Sequence, residues 1–364
     1  MITCLAFAIA TGSQMLSSDG DAARHLTIGE HILSTGDINV VNLFSLARAG
    51  EAMPPYEWLA RVISASTYHL AGLGGVVLIH ALVFGLAFAF VFRQMVTRGV
   101  SPRVARWVTA LALTAAAVHW LARPHMFTLL GTAIFASVLD AWYSGRANPR
   151  RLWLLPMLMI AWVNLNGGFI AGLLLVATYI AADLVRWAAS VNWDGQAAVI
   201  RLRTAFPVAV ATCLATLVTP VGPGLLAHFQ AAMGEHLVID RTAEFQSPNF
   251  HQMPYLSFLV MLVAVMLSVA WSKRRPSLQE GLQLAGFTAM ALMSARNIPL
   301  FAIVVAPILG AQIMALPLQA GRFFRPALAA SPKPASVADP RSRGWRAHLA
   351  AASIAVGLFS VAII

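Results

Sequence analysis

Apolar runs of roughly the 20 residues that cross a hydrocarbon core recur along the whole chain, and every second turn between them carries a cluster of arginines. Window hydropathy predicts about eleven spans, near 2–16, 73–92, 107–121, 126–143, 152–165, 168–185, 204–220, 254–272, 278–295, 298–316 and 347–364. A spanning segment must satisfy its own backbone hydrogen bonds, and runs of this length do so as helices. With 59% hydrophobic and 11% charged residues, the chain lacks the polar surface that a soluble domain of its 364 residues would need. The fold class is therefore an all-α integral membrane protein with a long outer first loop carrying amphipathic helices.

The basic residues set an orientation. One set of loops holds nineteen of the 25 Lys and Arg residues, among them Arg98, Arg103, Arg106, Arg146, Arg186, Arg201 and Arg274. The other set holds six: Arg24, Arg48, Arg61, Arg123, Arg241 and Arg296. The positive-inside rule places the first set and the N-terminus in the cytoplasm, as in a multi-pass protein of a cell inner membrane. The net charge of +11 is thus a topological signal, not a nucleic-acid footprint. Acidic residues gather on the opposite face, in two outer loops near 17–60 and 221–253. Residues 1–318 read as one membrane domain, 319–346 as a basic Pro/Ala-rich cytoplasmic linker, and 347–364 as a final span.

Chemistry is expected on the outer face. Asp19 and Asp21 follow the first apolar run, where a carboxylate can act as a general base, bind a metal or cap a helix. Residues 22–33 have the spacing of an amphipathic helix, broken at Gly36. His25 lies four residues after Asp21, so one helical face can present both. Glu57, within Pro54-Pro55-Tyr56-Glu57-Trp58, returns a second carboxylate to the same face. With Asp21 it could hold a divalent cation or share acid–base work. Arg123-Pro124-His125 and Arg296-Asn297-Ile298-Pro299 place arginines in minimal outer turns, against the positive-inside trend. Guanidinium forks suit phosphate oxygens, although snorkelling to headgroups would place them there too. Asn164 and Asn166, beside Gly167-Gly168, are candidates for hydrogen bonds to a sugar or for simple helix ends. Glu244-Phe245-Gln246 is a candidate lining for an acceptor groove. Cys4 and Cys213 both lie in apolar segments, which excludes a disulfide framework and a cysteine zinc site. No HExxH, P-loop, GxSxG or Cys-x-x-Cys motif occurs.

The order of these motifs resembles that of bacterial membrane proteins related to the GT-C glycosyltransferases, a superfamily that includes protein O-mannosyltransferases, oligosaccharyltransferase catalytic subunits and aminoarabinose transferases. The resemblance rests on Asp19-Gly20-Asp21, Arg24-His25-Leu26, Phe44-Ser45, Glu57-Trp58-Leu59, Arg123-Pro124-His125, Asn164-Leu165-Asn166-Gly167-Gly168 and Arg296-Asn297-Ile298-Pro299. It implies a sugar donor carried on polyprenyl phosphate, used on the outer face with a lipid, glycan or protein acceptor. Asp21 or Asp19 would match the essential first-loop acid, and Glu57 more loosely a second one. Arg123 and Arg296 would meet the lipid phosphate, and a divalent metal would sit at Asp21 and Glu57 if one is used. Where the resemblance implies a further Asp before Phe44-Ser45, this chain has Asn42. A transporter or lipid flippase and a non-catalytic membrane scaffold are the alternative readings.

Overall fold

The computed structural model describes residues 15–16, 20–38, 42, 50–51, 55–189, 193–225, 227 and 241–317. Asp19, the linker at 319–346, the last predicted span and nearly all of the first lie outside the described residues. Among those described, ten α-helices and several 3₁₀ turns account for the regular structure, and no strand occurs. The helices are α1 (Asp21–Thr35), α2 (Trp58–Thr97), α3 (Pro102–Ala116), α4 (His125–Tyr143), α5 (Leu154–Leu165), α6 (Ile170–Ala189), α7 (Trp193–Ala215), α8 (Met253–Trp271), α9 (Leu278–Met293) and α10 (Ile298–Met314). Helix occupies nine of the predicted runs. Six segments are long and apolar enough to cross a membrane: Trp58–Thr97, His125–Tyr143, Gly167–Ala189, Gly195–Ala215, Met253–Trp271 and Ala295–Met314. The other three are short, with 15 residues in α3, 12 in α5 and 16 in α9. A 3₁₀ turn at 117–119 lengthens α3, and another at 149–153 lengthens α5.

The central post is α10. It is apolar all round, as a fully enclosed helix must be, and every residue from Ile298 to Gly310 is buried. Helices α2, α3, α4, α8 and α9 pack on it. By contrast α7 and α8 are peripheral: 22% of the apolar window of each is buried, against 78% for α10. Their outer faces present Phe206, Val210, Leu214, Val260, Val263 and Met266. So much exposed apolar surface is stable in lipid rather than in water.

Two sequence expectations need correction. The predicted run at 73–92 is only the second part of α2, which begins at Trp58 and is interrupted at Ala71 (φ −148°, ψ 21°) and Gly72 (φ 60°, ψ −156°). Residues 58–70 form a helical arm between the expected end of the first loop near 60 and the expected span at 73. Arg61 and His69 lower its hydropathy, and its burial comes from α1. That partner helix runs Asp21–Thr35 and buries His25, Ile28, Gly29 and Ile32, an i, i+3, i+4, i+7 stripe. Gly36 ends it in the left-handed conformation (φ 70°), donating its N–H to Ile32 O at 2.9 Å. At Gly29 the helices touch: a Cβ there would lie 2.3 Å from Arg61 O. The second correction is α7, which starts at Trp193, so Arg201 and Arg203 stand on a helix and not in a loop.

The alternating loops fall at opposite ends of the bundle. At the arginine-rich end, ion pairs lock the helices together. Arg98 reaches Asp140 at 2.7 Å and Glu280 at 3.3 Å, Arg274 reaches Glu280 at 2.8 Å, and Arg146 also pairs with Asp140. Asp183, 2% exposed, takes Arg201 at 2.7 Å and Arg186 at 3.2 Å and accepts from Tyr143 Oη at 2.8 Å. Four well-exposed tryptophans, Trp107, Trp153, Trp187 and Trp271, stand at this same end. Indoles prefer the membrane–water boundary, so they mark its level.

Candidate functional site

At the other end, a cavity of about 140 Å³ opens among six segments of the chain. The start of α1 contributes Asp21, Arg24 and His25; the approach to α2 contributes Tyr56 and Glu57. His119, Arg123 and His125 come from the α3–α4 connection, Asn166 from the α5–α6 turn, Glu244 from the segment before α8, and Arg296 from the α9–α10 turn. Residues far apart in the chain thus converge because each sits in a connection or helix end on this side of the bundle. Of the predicted site residues, Asp21, His25, Glu57, Arg123, His125, Asn166 and Arg296 line this one space.

Among the residues that line the cavity, arginines and carboxylates alternate at 3.4–3.6 Å. Arg123 Nη2 lies 3.5 Å from Asp21 Oδ2, and its Nη1 lies 3.5 Å from Glu244 Oε2. Arg296 Nη1 is 3.6 Å from Glu244 Oε1, and Arg24 Nη2 is 3.4 Å from Asp21 Oδ1. His119 Nε2 stands 3.3 Å from Glu244 Oε2. Glu244 is therefore ringed by His119, Arg123 and Arg296, and the His119 contact leads in holding its carboxyl at a pKa of about 2. Its segment is fixed by backbone contacts: Ser294 Oγ donates to Glu244 O at 2.9 Å, and Ala295 N donates to Gln246 O at 2.9 Å. Phe245 stacks under the Arg296 guanidinium at 5.2 Å. The segment expected to line an acceptor groove thus brings Glu244 into the cavity, where it also holds the two arginines.

Glu57 is held quite differently. It is the one non-glycine residue with positive φ (68°) among the described residues, and such strain concentrates at functional sites. A relay fixes its carboxylate: Trp162 Nε1 donates to Thr128 Oγ1 (3.1 Å), Thr128 Oγ1 donates to Asn166 Oδ1 (2.7 Å), and Asn166 Nδ2 donates to Glu57 Oε1. Gly168 allows this approach, since a Cβ there would sit 2.5 Å from Thr128 Oγ1. Behind Glu57 lies Arg61, 2% exposed, with Nη2 3.9 Å from Glu57 Oε2 and no hydrogen-bond partner for Nε or Nη2. Burial raises the Glu57 pKa, against the pull of Arg61, Arg296 and the Asn166 amide. Burial also lowers the His25 pKa to about 3, helped by Arg61, Arg24 and Arg123, so this ring is neutral at physiological pH.

The two asparagines part company. Asn166 lines the cavity, but its amide is committed to Glu57, Thr128 and the Gly168 N–H. Asn164 does not line the cavity. It accepts from Trp58 Nε1 at 2.7 Å and donates to Ile160 O and Val218 O, bracing α5 against the start of α2 and the end of α7. The structure thus gives Asn164 a bracing role and does not bring it to the cavity with Asn166. Sequence reasoning missed Tyr56, Arg24 and Arg61 as site residues and the pairing of His119 with Glu244. The legible signal was that Arg24, Arg61, Arg123 and Arg296 all defy the positive-inside trend. As for a metal, no group of three or more His, Cys, Asp or Glu among the described residues is placed to hold an ion. Asp21 and Glu57 are each engaged by an arginine instead. Compared with known proteins, the chain matches no family model, no curated protein and no solved structure.

Proposed function

We propose that this protein is a membrane glycosyltransferase that moves a sugar from a polyprenyl-phosphate donor to an acceptor hydroxyl or amide at the outer face of a cell inner membrane. The observation that carries the reading is the convergence of Asp21, Arg123 and Arg296 on one cavity. In such a transfer the acceptor oxygen or nitrogen attacks the anomeric carbon and loses its proton. The bond from that carbon to the phosphate oxygen breaks, and the electron pair leaves on the lipid phosphate. Asp21, whose side chain is 40% exposed at the cavity mouth, is the base that takes the proton. Arg123 and Arg296 stabilise the departing phosphate, as preorganised cations do where charge develops. Glu244 occupies those arginines in the present structure, so the phosphate replaces a carboxylate of the chain itself. Glu57 positions Arg61 and the start of α2 from behind.

The topology that goes with this reading has about eleven spans, the N-terminus in the cytoplasm and the cavity outside. A transport reading is favoured by one feature, the break in α2 at Ala71–Gly72, since broken helices line many transport sites. Incubating the purified protein with radiolabelled polyprenyl-phosphate sugars separates the two. Transfer to an acceptor that Asp21→Asn abolishes, with the variant still folded in membranes, supports the enzyme. Full activity in Asp21→Asn removes Asp21 from the chemistry, and movement of intact donor across a vesicle without transfer favours transport.

A further inference from the structure

The opposite end of the bundle carries a second cavity, about 640 Å³ in volume, in the size range of small-molecule sites. It lies along α3 and is closed on one side by Ile313 near the end of α10. Arg103, Trp107 and Ala110 follow one another at i, i+4 and i+7, so they form one stripe of α3, with Arg106 beside it. The helix is held by its other face, which buries Ala105, Val108, Thr109, Ala112, Ala115 and Ala116. Ser101 caps its start by accepting from Val104 N, and Pro102 occupies the first turn, which fixes where the stripe points.

Three observations say what fills this groove. Arg103 and Arg106 have no acidic partner among the described residues, although nearby Arg98, Arg146, Arg186, Arg201 and Arg274 are all paired with carboxylates. Trp107 is 79% exposed, the most of the four tryptophans that mark the boundary level at this end. The walls below the arginines are apolar, from Val104, Val108, Ala110 and Ile313. A ligand matched to this lining has an anionic head at the membrane boundary and hydrocarbon beneath it. Other exposed arginines at this end, such as Arg150 and Arg151, do not border the groove.

We propose that the α3 groove is a binding site for an anionic phospholipid, its phosphate held between Arg103 and Arg106 and its acyl chains laid along Trp107, Ala110 and Ile313. Basic recesses between membrane helices recognise anionic headgroups in this way, and guanidinium groups grip phosphate oxygens in pairs. The inference does not depend on the glycosyltransferase reading, because it uses no residue of the other cavity.

The test is native mass spectrometry of the full chain extracted from vesicles of phosphatidylcholine containing phosphatidylglycerol as a minor component. Wild type should carry phosphatidylglycerol in preference to phosphatidylcholine despite the excess of the latter. The double variant Arg103→Gln/Arg106→Gln should lose at least about tenfold of that retention, the scale of one strong charged contact. Arg103→Lys/Arg106→Lys, which keeps the charge, should retain an intermediate amount and shows that any loss is not misfolding. Arg150→Gln/Arg151→Gln should retain as much as wild type. Equal retention of both lipids, equal loss in the Arg150/Arg151 control, or a second copy of the chain appearing where the lipid should be would each overturn the proposal.

Discussion

The two ends of this bundle use the same side chains to opposite effect. At the arginine-rich end, Asp140, Asp183 and Glu280 take their arginines at 2.7–3.3 Å, and Asp183 is 2% exposed. At the cavity end the arginine–carboxylate separations run from 3.4 to 3.9 Å, and Arg296 keeps 41% of its side chain exposed. Tight pairs spend their hydrogen-bonding capacity on each other and hold helices in register. The longer pairs around the cavity tie their helices together less tightly. The difference teaches that charge count alone does not find a site: the basic end has more arginines, yet the end with fewer holds the cavity in which they converge with carboxylates and histidines.

Removing one anion from each end is the largest expected contrast. Asp183→Ala leaves Arg186 and Arg201 facing each other beside Tyr143, and loss of one partner from a buried cluster costs about 3–5 kcal/mol. Glu244→Gln should cost less than Asp183→Ala, because its pairs are longer and its side chain is 21% exposed, while strengthening anion binding because the competing carboxylate is gone. Thermal unfolding in detergent checks the first part, and comparable losses for both variants would erase the distinction between the ends.

A smaller effect is expected where α1 meets the first arm of α2. Gly29→Ala must push α1 away from Arg61 O, with a cost of about 1–3 kcal/mol as in other overpacked contacts. Because α1 carries Asp21, Arg24 and His25, the variant should also weaken ligand binding in the cavity. Ala105→Gly at the other end should destabilise without touching binding. Unchanged binding in Gly29→Ala would mean that α1 does not position the cavity.

The last effect is a pH dependence, absent near neutral pH and felt only in acid. The ring of His25 is held neutral, with its pKa lowered from 6.5 to about 3. The unfolded chain therefore takes up a proton that the folded chain refuses. Stability from this group is complete above the unfolded value near 6.5 and is lost as pH falls toward about 3. Glu244, lowered from 4.5 to about 2, adds a second loss over that more acidic window. His25→Asn should flatten the stability profile between those two histidine values, as followed by unfolding at a series of pH values. A profile that stays as steep in the variant would place the titration elsewhere.

Much of this was legible from the sequence. The apolar run at 298–316 announces a span, Gly36 announces the end of α1, and arginines in minimal turns announce Arg123 and Arg296 as out of place. What was not legible depended on contacts across the chain. The arm at 58–70 falls outside the predicted spans because Arg61 and His69 dilute it, and only α1 explains its burial. Asn164 and Asn166 look equivalent in the motif. One sits in the last turn of α5, where its amide meets Val218 just past α7, while the other lies beyond the helix in extended backbone (φ −164°) facing Glu57. Glu244 lies more than a hundred residues from Arg123, so no local spacing could pair them.

The account stands most directly on phosphate recognition at the cavity end. Equilibrium binding of a polyprenyl phosphate to the detergent-solubilised full chain tests it, with wild type compared to Arg123→Gln, Arg296→Gln and Glu244→Gln. Each arginine variant should weaken binding by about tenfold or more, equivalent to about 1.4 kcal/mol, and Glu244→Gln should tighten it. Binding that is equal in all four proteins, or that weakens in Glu244→Gln, would contradict the claim that this cavity is where a lipid phosphate is held.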